Sequence, residues 1–138
     1  RFERLHKSGE GIRGLPTGFK GLDDRLSGLQ KSDLIILAAR PGEGKTAMAL
    51  NIAAHVALEL KKPVAIYSLE MRKQEILMHM LCAEGRVNAS KLRGGSLPRE
   101  EFMKLTDAAG WLLGADFYID DSSGLSALEA CVRARRLA

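Results

Sequence analysis

Ala39-Arg40-Pro41-Gly42-Glu43-Gly44-Lys45-Thr46 follows directly on the apolar run Leu34-Ile35-Ile36-Leu37-Ala38 and has the spacing of a phosphate-binding P-loop. A strand that ends in a small-residue turn and opens into a helix aims unpaired backbone N–H groups, and the positive end of the helix dipole, at one point. A polyphosphate can sit there. Lys45 then faces the β- and γ-phosphate oxygens with its ammonium, and the Thr46 hydroxyl is a ligand for the Mg²⁺ that bridges them. Ala39 stands where the motif usually opens with glycine, and its small side chain lets the turn keep its shape. A Gly-rich turn that binds nothing is the alternative; the complete strand, loop, Gly-Lys-Thr and helix context argues against it.

Outward from this motif, Thr46 to about Leu60 reads as an Ala-rich helix, apolar on nearly every face through Met48, Leu50, Ile52, Val56 and Leu58, and so buried against a sheet. His55 lies on it without a second His, Cys or carboxylate at metal-binding spacing and is expected to be a packed or partly exposed histidine, not a ligand. Pro63-Val64-Ala65-Ile66-Tyr67-Ser68 reads as a second buried strand, and Arg72 to Glu84 as an amphipathic helix with Ile76, Leu77, Met80 and Leu81 on one face. A further helix opens near Pro98 and is expected to bury Phe102, Leu105, Ala109 and Leu112. Asp116-Phe117-Tyr118-Ile119 is a third strand, and Ser126 to Ala138 begins another helix. Strands alternating with helices predict an α/β fold, a parallel sheet covered by helices on both faces.

Before the first strand, Arg1 to about Lys7 looks helical and Ser8-Gly9-Glu10-Gly11 is a flexible break, so residues 1–13 read as a linker helix and Gly-rich tether. Phe2 and Leu5 at helical spacing give that helix the form of a docking piece, although a free tether has the same composition. Gly14 to Asp23 carries too many Gly and Pro for a regular element, with Leu22, Leu26 and Leu29 as a short apolar stripe. The final helix stops without a cap or a following strand, and three strands are few for such a domain. Residues 14–138 are therefore expected to be a domain incomplete at its C-terminal end.

The 138 residues, 46% hydrophobic and 28% charged, suit one ordinary globular unit. No apolar stretch approaches the roughly 20 residues a membrane helix needs, and the charged Arg1-Phe2-Glu3-Arg4 start is unlike a signal peptide, so a cytoplasmic protein is expected. Cys82 and Cys131 are far apart and read as buried, reduced thiols. A net charge of +4 permits nucleic-acid contact without demonstrating it. Arg133, Arg135 and Arg136 on the last helix, and Lys91 and Arg93 flanking a loop, read as solvated basic faces, because no aromatic residues interleave with them as a base-stacking platform would require.

Taken together, Gly14-Leu15-Pro16-Thr17-Gly18-Phe19, the P-loop, Ser68-Leu69-Glu70-Met71 and Tyr118-Ile119-Asp120-Asp121 closely resemble a bacterial replicative DNA helicase of the DnaB type, through nearly the whole chain. The resemblance implies the end of that family's linker and the N-terminal half of its RecA-like ATPase domain. It further implies ATP and Mg²⁺ as ligands, a homo-hexameric ring threaded by single-stranded DNA, unwinding at the replication fork, and primase and a helicase loader as partners. It gives Glu70, at the carboxyl end of the second strand, the role of polarising the water that attacks the γ-phosphate, with Lys45 and Mg²⁺ stabilising the transferring group. A glutamate held in the first turn of the next helix by its dipole is the structural alternative.

Asp120 and Asp121 end an apolar strand as a metal-holding pair would, but that strand is short. In the family the metal-holding aspartate ends a later strand, so these two are read as turn and cap residues before Ser122-Ser123-Gly124. The family's metal-holding strand, arginine finger and DNA-binding loops fall past Ala138, and residues 1–138 alone are expected neither to hydrolyse ATP nor to form a stable hexamer. Two other function classes stay open on the residues alone: another RecA-like ATPase, such as a recombinase or RadA-type repair protein, and a non-catalytic interaction module.

Overall fold

The computed structural model describes residues 13–137. The linker helix and most of the tether expected over residues 1–13 lie outside the described residues. The chain divides into two compact units, one ending at Leu60 and one beginning at Lys61.

In the first unit, Leu15 and Leu29 exchange both backbone hydrogen bonds at 2.8 Å in an isolated antiparallel bridge. Helix α1, Lys20–Leu26, lies between them. This corrects the reading of the Gly- and Pro-rich segment as irregular: Pro16 and Gly18 stand before the helix, where they set the turn, and a side-chain knot fastens its start. Thr17, completely buried, donates its backbone N–H and its hydroxyl to Asp23 Oδ1 at 2.8 Å each. The same hydroxyl accepts the Phe19 N–H at 3.1 Å. Gly18 turns the chain at φ +84°, and a Cβ there would stand 2.7 Å from Cγ of His55, which is thus a half-buried packing residue as its isolation in the sequence suggests.

Leu34–Leu37 does not form the strand its apolar run predicts. A strand is defined by ladder hydrogen bonds to a neighbour; the described residues provide none here, and Leu34 is 89% exposed. After the P-loop, helix α2 runs over Lys45–Ala54 and continues as a π-helical turn, His55–Glu59, where one unbroken α-helix is expected. Its buried residues are Leu50, Ala54, Val56 and Ala57, whereas Ala47, Ala49 and Asn51 are exposed, so burial falls on one side and not all round.

The second unit carries strands β1 (Val64–Tyr67) and β2 (Phe117–Asp120), paired in parallel with Val64 opposite Phe117 and Tyr67 opposite Asp120. The long crossover between them holds helices α3 (Lys73–Glu84), α4 (Ala89–Arg93) and α5 (Arg99–Leu113); helix α6 (Ala127–Leu137) follows β2. The core is built from Ile76, Met80, Cys82, Val87, Ala108 and Ile119. Phe102, expected in it, is 61% exposed, while Leu105, Ala109 and Leu112 are half-buried. The buried stripe of α5 centres on Ala108, and Phe102 falls off it. The short α4 escapes periodicity analysis, but Asn88 caps it by accepting the Ser90 N–H at 2.8 Å. Lys91 and Arg93 therefore sit on a helix and not beside a loop, and Lys91 pairs with Glu101 of α5 at 3.0 Å. Among the described residues, no helix is long and apolar enough to cross a membrane.

Candidate functional site

The stretch expected to bind phosphate is open, with Ala39, Arg40, Pro41, Gly42, Glu43, Gly44 and Lys45 exposed and Thr46 half-buried. Gly42 and Gly44 take φ +82° and +84°, a conformation unfavourable to residues with a Cβ, and nothing lies within 4 Å of where a Cβ would be on either. The Glu43 N–H donates to the Arg40 carbonyl at 3.2 Å and closes the turn. Gly44 is the N-cap of α2, and since it lacks a side chain the first turn has no side-chain cap. The N–H groups that begin the helix are thus left for an acceptor from outside. Among the described residues Lys45 is not held in an ion pair. Exposed donors, a free ammonium and unfilled space at the turn fit a polyphosphate, and the Thr46 hydroxyl is of the kind that would hold its cation.

Glu70 belongs to the second unit and sits in the loop from β1 to α3. Its backbone is tied down at both ends. Beyond β1, the Ser68 N–H donates to the Asp120 carbonyl at 2.8 Å. The Ser68 hydroxyl donates to the Met71 carbonyl at 2.7 Å and accepts the Met71 N–H at 3.0 Å, so the turn from Ser68 to Met71 is closed from within. At the far end, the Arg72 N–H donates to Glu75 Oε2 at 3.1 Å and the Lys73 N–H to Asp121 Oδ2 at 2.8 Å. Glu70 itself is exposed.

Asp120 and Asp121 act as turn and cap residues, and they divide those tasks. Asp121 serves the start of α3. Asp120, 7% exposed, accepts the Ser122 N–H at 3.0 Å, the Ser122 hydroxyl at 2.6 Å and the Arg133 guanidinium. The Ser122 hydroxyl first, then Arg133, holds its carboxyl down at about 2. Arg133 is therefore a paired residue and not part of a free basic face; Arg135 and Arg136 are exposed. Cys82 is buried and burial pushes its thiol up, but Cys131 is exposed, contrary to the expectation that both are buried, because α6 presents that side outward. The links Ser68 to Met71, Asp121 to Lys73 and Arg133 to Asp120 escape sequence reasoning, apart from one signal: Arg72 occupies an N-cap position with a side chain that can only donate.

A family model described as the DnaB-like helicase C terminal domain matches residues 14–138. The chain is 50% identical over 135 residues to the replicative DNA helicase DnaC of Bacillus subtilis, and 52% identical over 135 residues to the replicative DNA helicase DnaB of Geobacillus stearothermophilus. Each alignment takes in 98% of this chain, which spans about 30% of the length of these relatives. Among solved structures, one described as an ATPase domain superposes with a TM-score of 0.89 at 30% identity, over 99% of this chain and 48% of that one. A DnaB-like replicative helicase studied with its interactions with primase gives the same TM-score and identity, over 99% of this chain and 33% of its own.

Proposed function

The chain belongs to the DnaB-like helicase C-terminal domain family, with the RecA-like α/β fold of its structural relatives, and from this premise we propose that it is part of the ATP-driven motor of a replicative DNA helicase. The observation that carries the proposal is the uncapped start of α2 behind two glycines at positive φ with nothing filling the turn. ATP is bound by Ala39, Arg40, Pro41, Gly42, Glu43, Gly44, Lys45 and Thr46: backbone N–H groups receive the phosphate oxygens, and Lys45 neutralises charge that grows as the γ-phosphoryl departs. Mg²⁺, when bound with the nucleotide, shields the phosphate charge, and Thr46 is the residue here that would hold it. Glu70 orients the attacking water and accepts its proton from the loop between β1 and α3. Hydrolysis is coupled to translocation on single-stranded DNA by a homo-hexamer in the cytoplasm. The relative whose structure was determined for its interactions with primase supports primase as a partner, and family membership supports a helicase loader.

The test uses a full-length protein containing this chain. Lys45→Ala is expected to abolish ATP hydrolysis through lost nucleotide binding, whereas Glu70→Gln is expected to bind ATP with the parent's affinity and to hydrolyse it at least a hundredfold more slowly, on the order of a lost general base. Parent-like turnover by Lys45→Ala overturns the P-loop assignment, and parent-like turnover by Glu70→Gln moves the catalytic carboxylate elsewhere.

A further inference from the structure

Glu70 makes no hydrogen bond or ion pair of its own among the described residues, so its place is set by the backbone of its loop. That loop is clamped at both ends by consecutive residues of one strand end. Asp120 takes the Ser68 N–H on its carbonyl, and Asp121 takes the Lys73 N–H on its carboxylate, both at 2.8 Å. Asp120 is in turn fixed by Ser122 and by Arg133 from α6.

The second clamp is unusual in its origin. Two other helices of this unit are capped locally, while α5 begins behind Pro98 with no side-chain cap: Asn88 accepts the Ser90 N–H for α4, and for α6 Ser126 and Glu129 bond each other reciprocally, with the Glu129 N–H on the Ser126 hydroxyl at 3.2 Å and the Ser126 N–H on Glu129 Oε2 at 2.9 Å. Helix α3 has only half of such a box: Glu75 reaches back to the Arg72 N–H at 3.1 Å, but Arg72 stands at the N-cap and its guanidinium has no acceptor to give the first turn. A further first-turn N–H, that of Lys73, finds its acceptor in Asp121, 48 residues along the chain. A local Ser or Asp would serve the helix equally well; only a remote one also fixes the loop to the neighbouring strand.

We propose that Asp121 is a positioning residue that holds Glu70 in register through the Lys73 backbone. The proposal rests on the reading of Glu70 as the catalytic carboxylate. Displacing a catalytic group by a fraction of an ångström slows the chemical step while leaving nucleotide binding, made elsewhere, as it was.

The experiment measures ATP turnover and melting temperature in a full-length protein containing this chain. Asp121→Ala is expected to lower kcat about tenfold with KM for ATP within about twofold, and Asp121→Asn, whose amide oxygen still accepts, to keep at least half the parent kcat. Arg72→Ser supplies a local cap. The new cap, on the N–H of Gln74 or Glu75, offsets the bond lost at Lys73, so the Arg72→Ser/Asp121→Ala double variant is expected to melt close to the parent and still to lose the same tenfold in kcat. A role confined to capping α3 predicts instead that Arg72→Ser restores kcat together with stability, and that outcome overturns the proposal, as does an unchanged kcat in Asp121→Ala or a loss in Asp121→Asn equal to that in Asp121→Ala. Turnover by Glu70→Gln near the parent rate is a separate result: it removes the reading of Glu70, and the proposal with it.

Discussion

Gly44 and Gly18 share the same backbone angle, φ +84°, and differ in what surrounds them. Replacing either with alanine puts a Cβ on a left-handed residue, at about 1–2 kcal/mol. At Gly44 nothing lies within 4 Å, so that strain is the whole cost to folding. At Gly18 the new methyl would meet Cγ, Nδ1 and Cδ2 of His55 at 2.7, 3.0 and 3.1 Å, and a forced insertion of this kind adds about 1–3 kcal/mol. For ligand binding the order reverses. Gly44 caps α2, and relief of its strain rotates the N–H groups that open the helix away from their target; losing one charge-assisted hydrogen bond costs about 1.5–3 kcal/mol, or roughly 10- to 100-fold in Kd. Thermal melts and titration with a fluorescent ATP analogue, on both variants of a full-length protein containing this chain, check the pair. Gly44→Ala is expected to be the more stable variant and the poorer binder, with Gly18→Ala the reverse. Equal destabilisation by the two, or parent-like ATP affinity in Gly44→Ala, contradicts these roles for the two glycines.

Asp120 has its carboxyl lowered to about 2 by Ser122 and Arg133, so its contribution to stability is complete above the ordinary value of 3.8 and is lost as pH falls towards 2. Asp120→Asn is therefore expected to be less stable than the parent in urea at pH 5–7, with the gap closing between about pH 4 and pH 2; a gap independent of pH contradicts this. The two thiols should separate cleanly, since Cys131 is exposed while Cys82 is buried with its thiol pushed up. Maleimide is expected to label Cys131 in the native protein and Cys82 only after denaturation, and equal native labelling would contradict the packing of α3.

The elements legible in the sequence are those with a local cause. Val64–Tyr67 is a short β-branched and aromatic run behind a proline, and α3 and α5 carry apolar periodicity long enough to count. What escapes has a non-local cause or too little length. Helix α1 starts with the aid of a hydrogen-bond knot between Thr17 and Asp23, a pairing that periodicity does not detect. Five residues of α4 are too few for a helical period, so only the Asn88 cap marks it. The run Leu34–Leu37 shows the opposite failure, with apolar character enough for a strand but no ladder partner among the described residues. At the candidate site, the turn through Gly42 and Gly44 and the helix it opens are legible because all their parts are contiguous. The support around Glu70 is not, because its acceptors come from β2.

The parallel pairing of Val64–Tyr67 with Phe117–Asp120 has a consequence for synthesis. A ribosome adding about 5–20 residues per second makes β1 and then needs a few more seconds to deliver its partner, on the order of fifty residues later. Through that interval a short apolar strand stands with an open edge, a template for pairing with any other nascent chain. Lys61, Lys62 and Pro63 lie immediately ahead of it. Two like charges repel a second copy, and the proline removes a donor from the edge, so the three residues guard β1 during the wait. Their removal should leave the finished protein's sheet intact and lower the soluble yield of the newly made one.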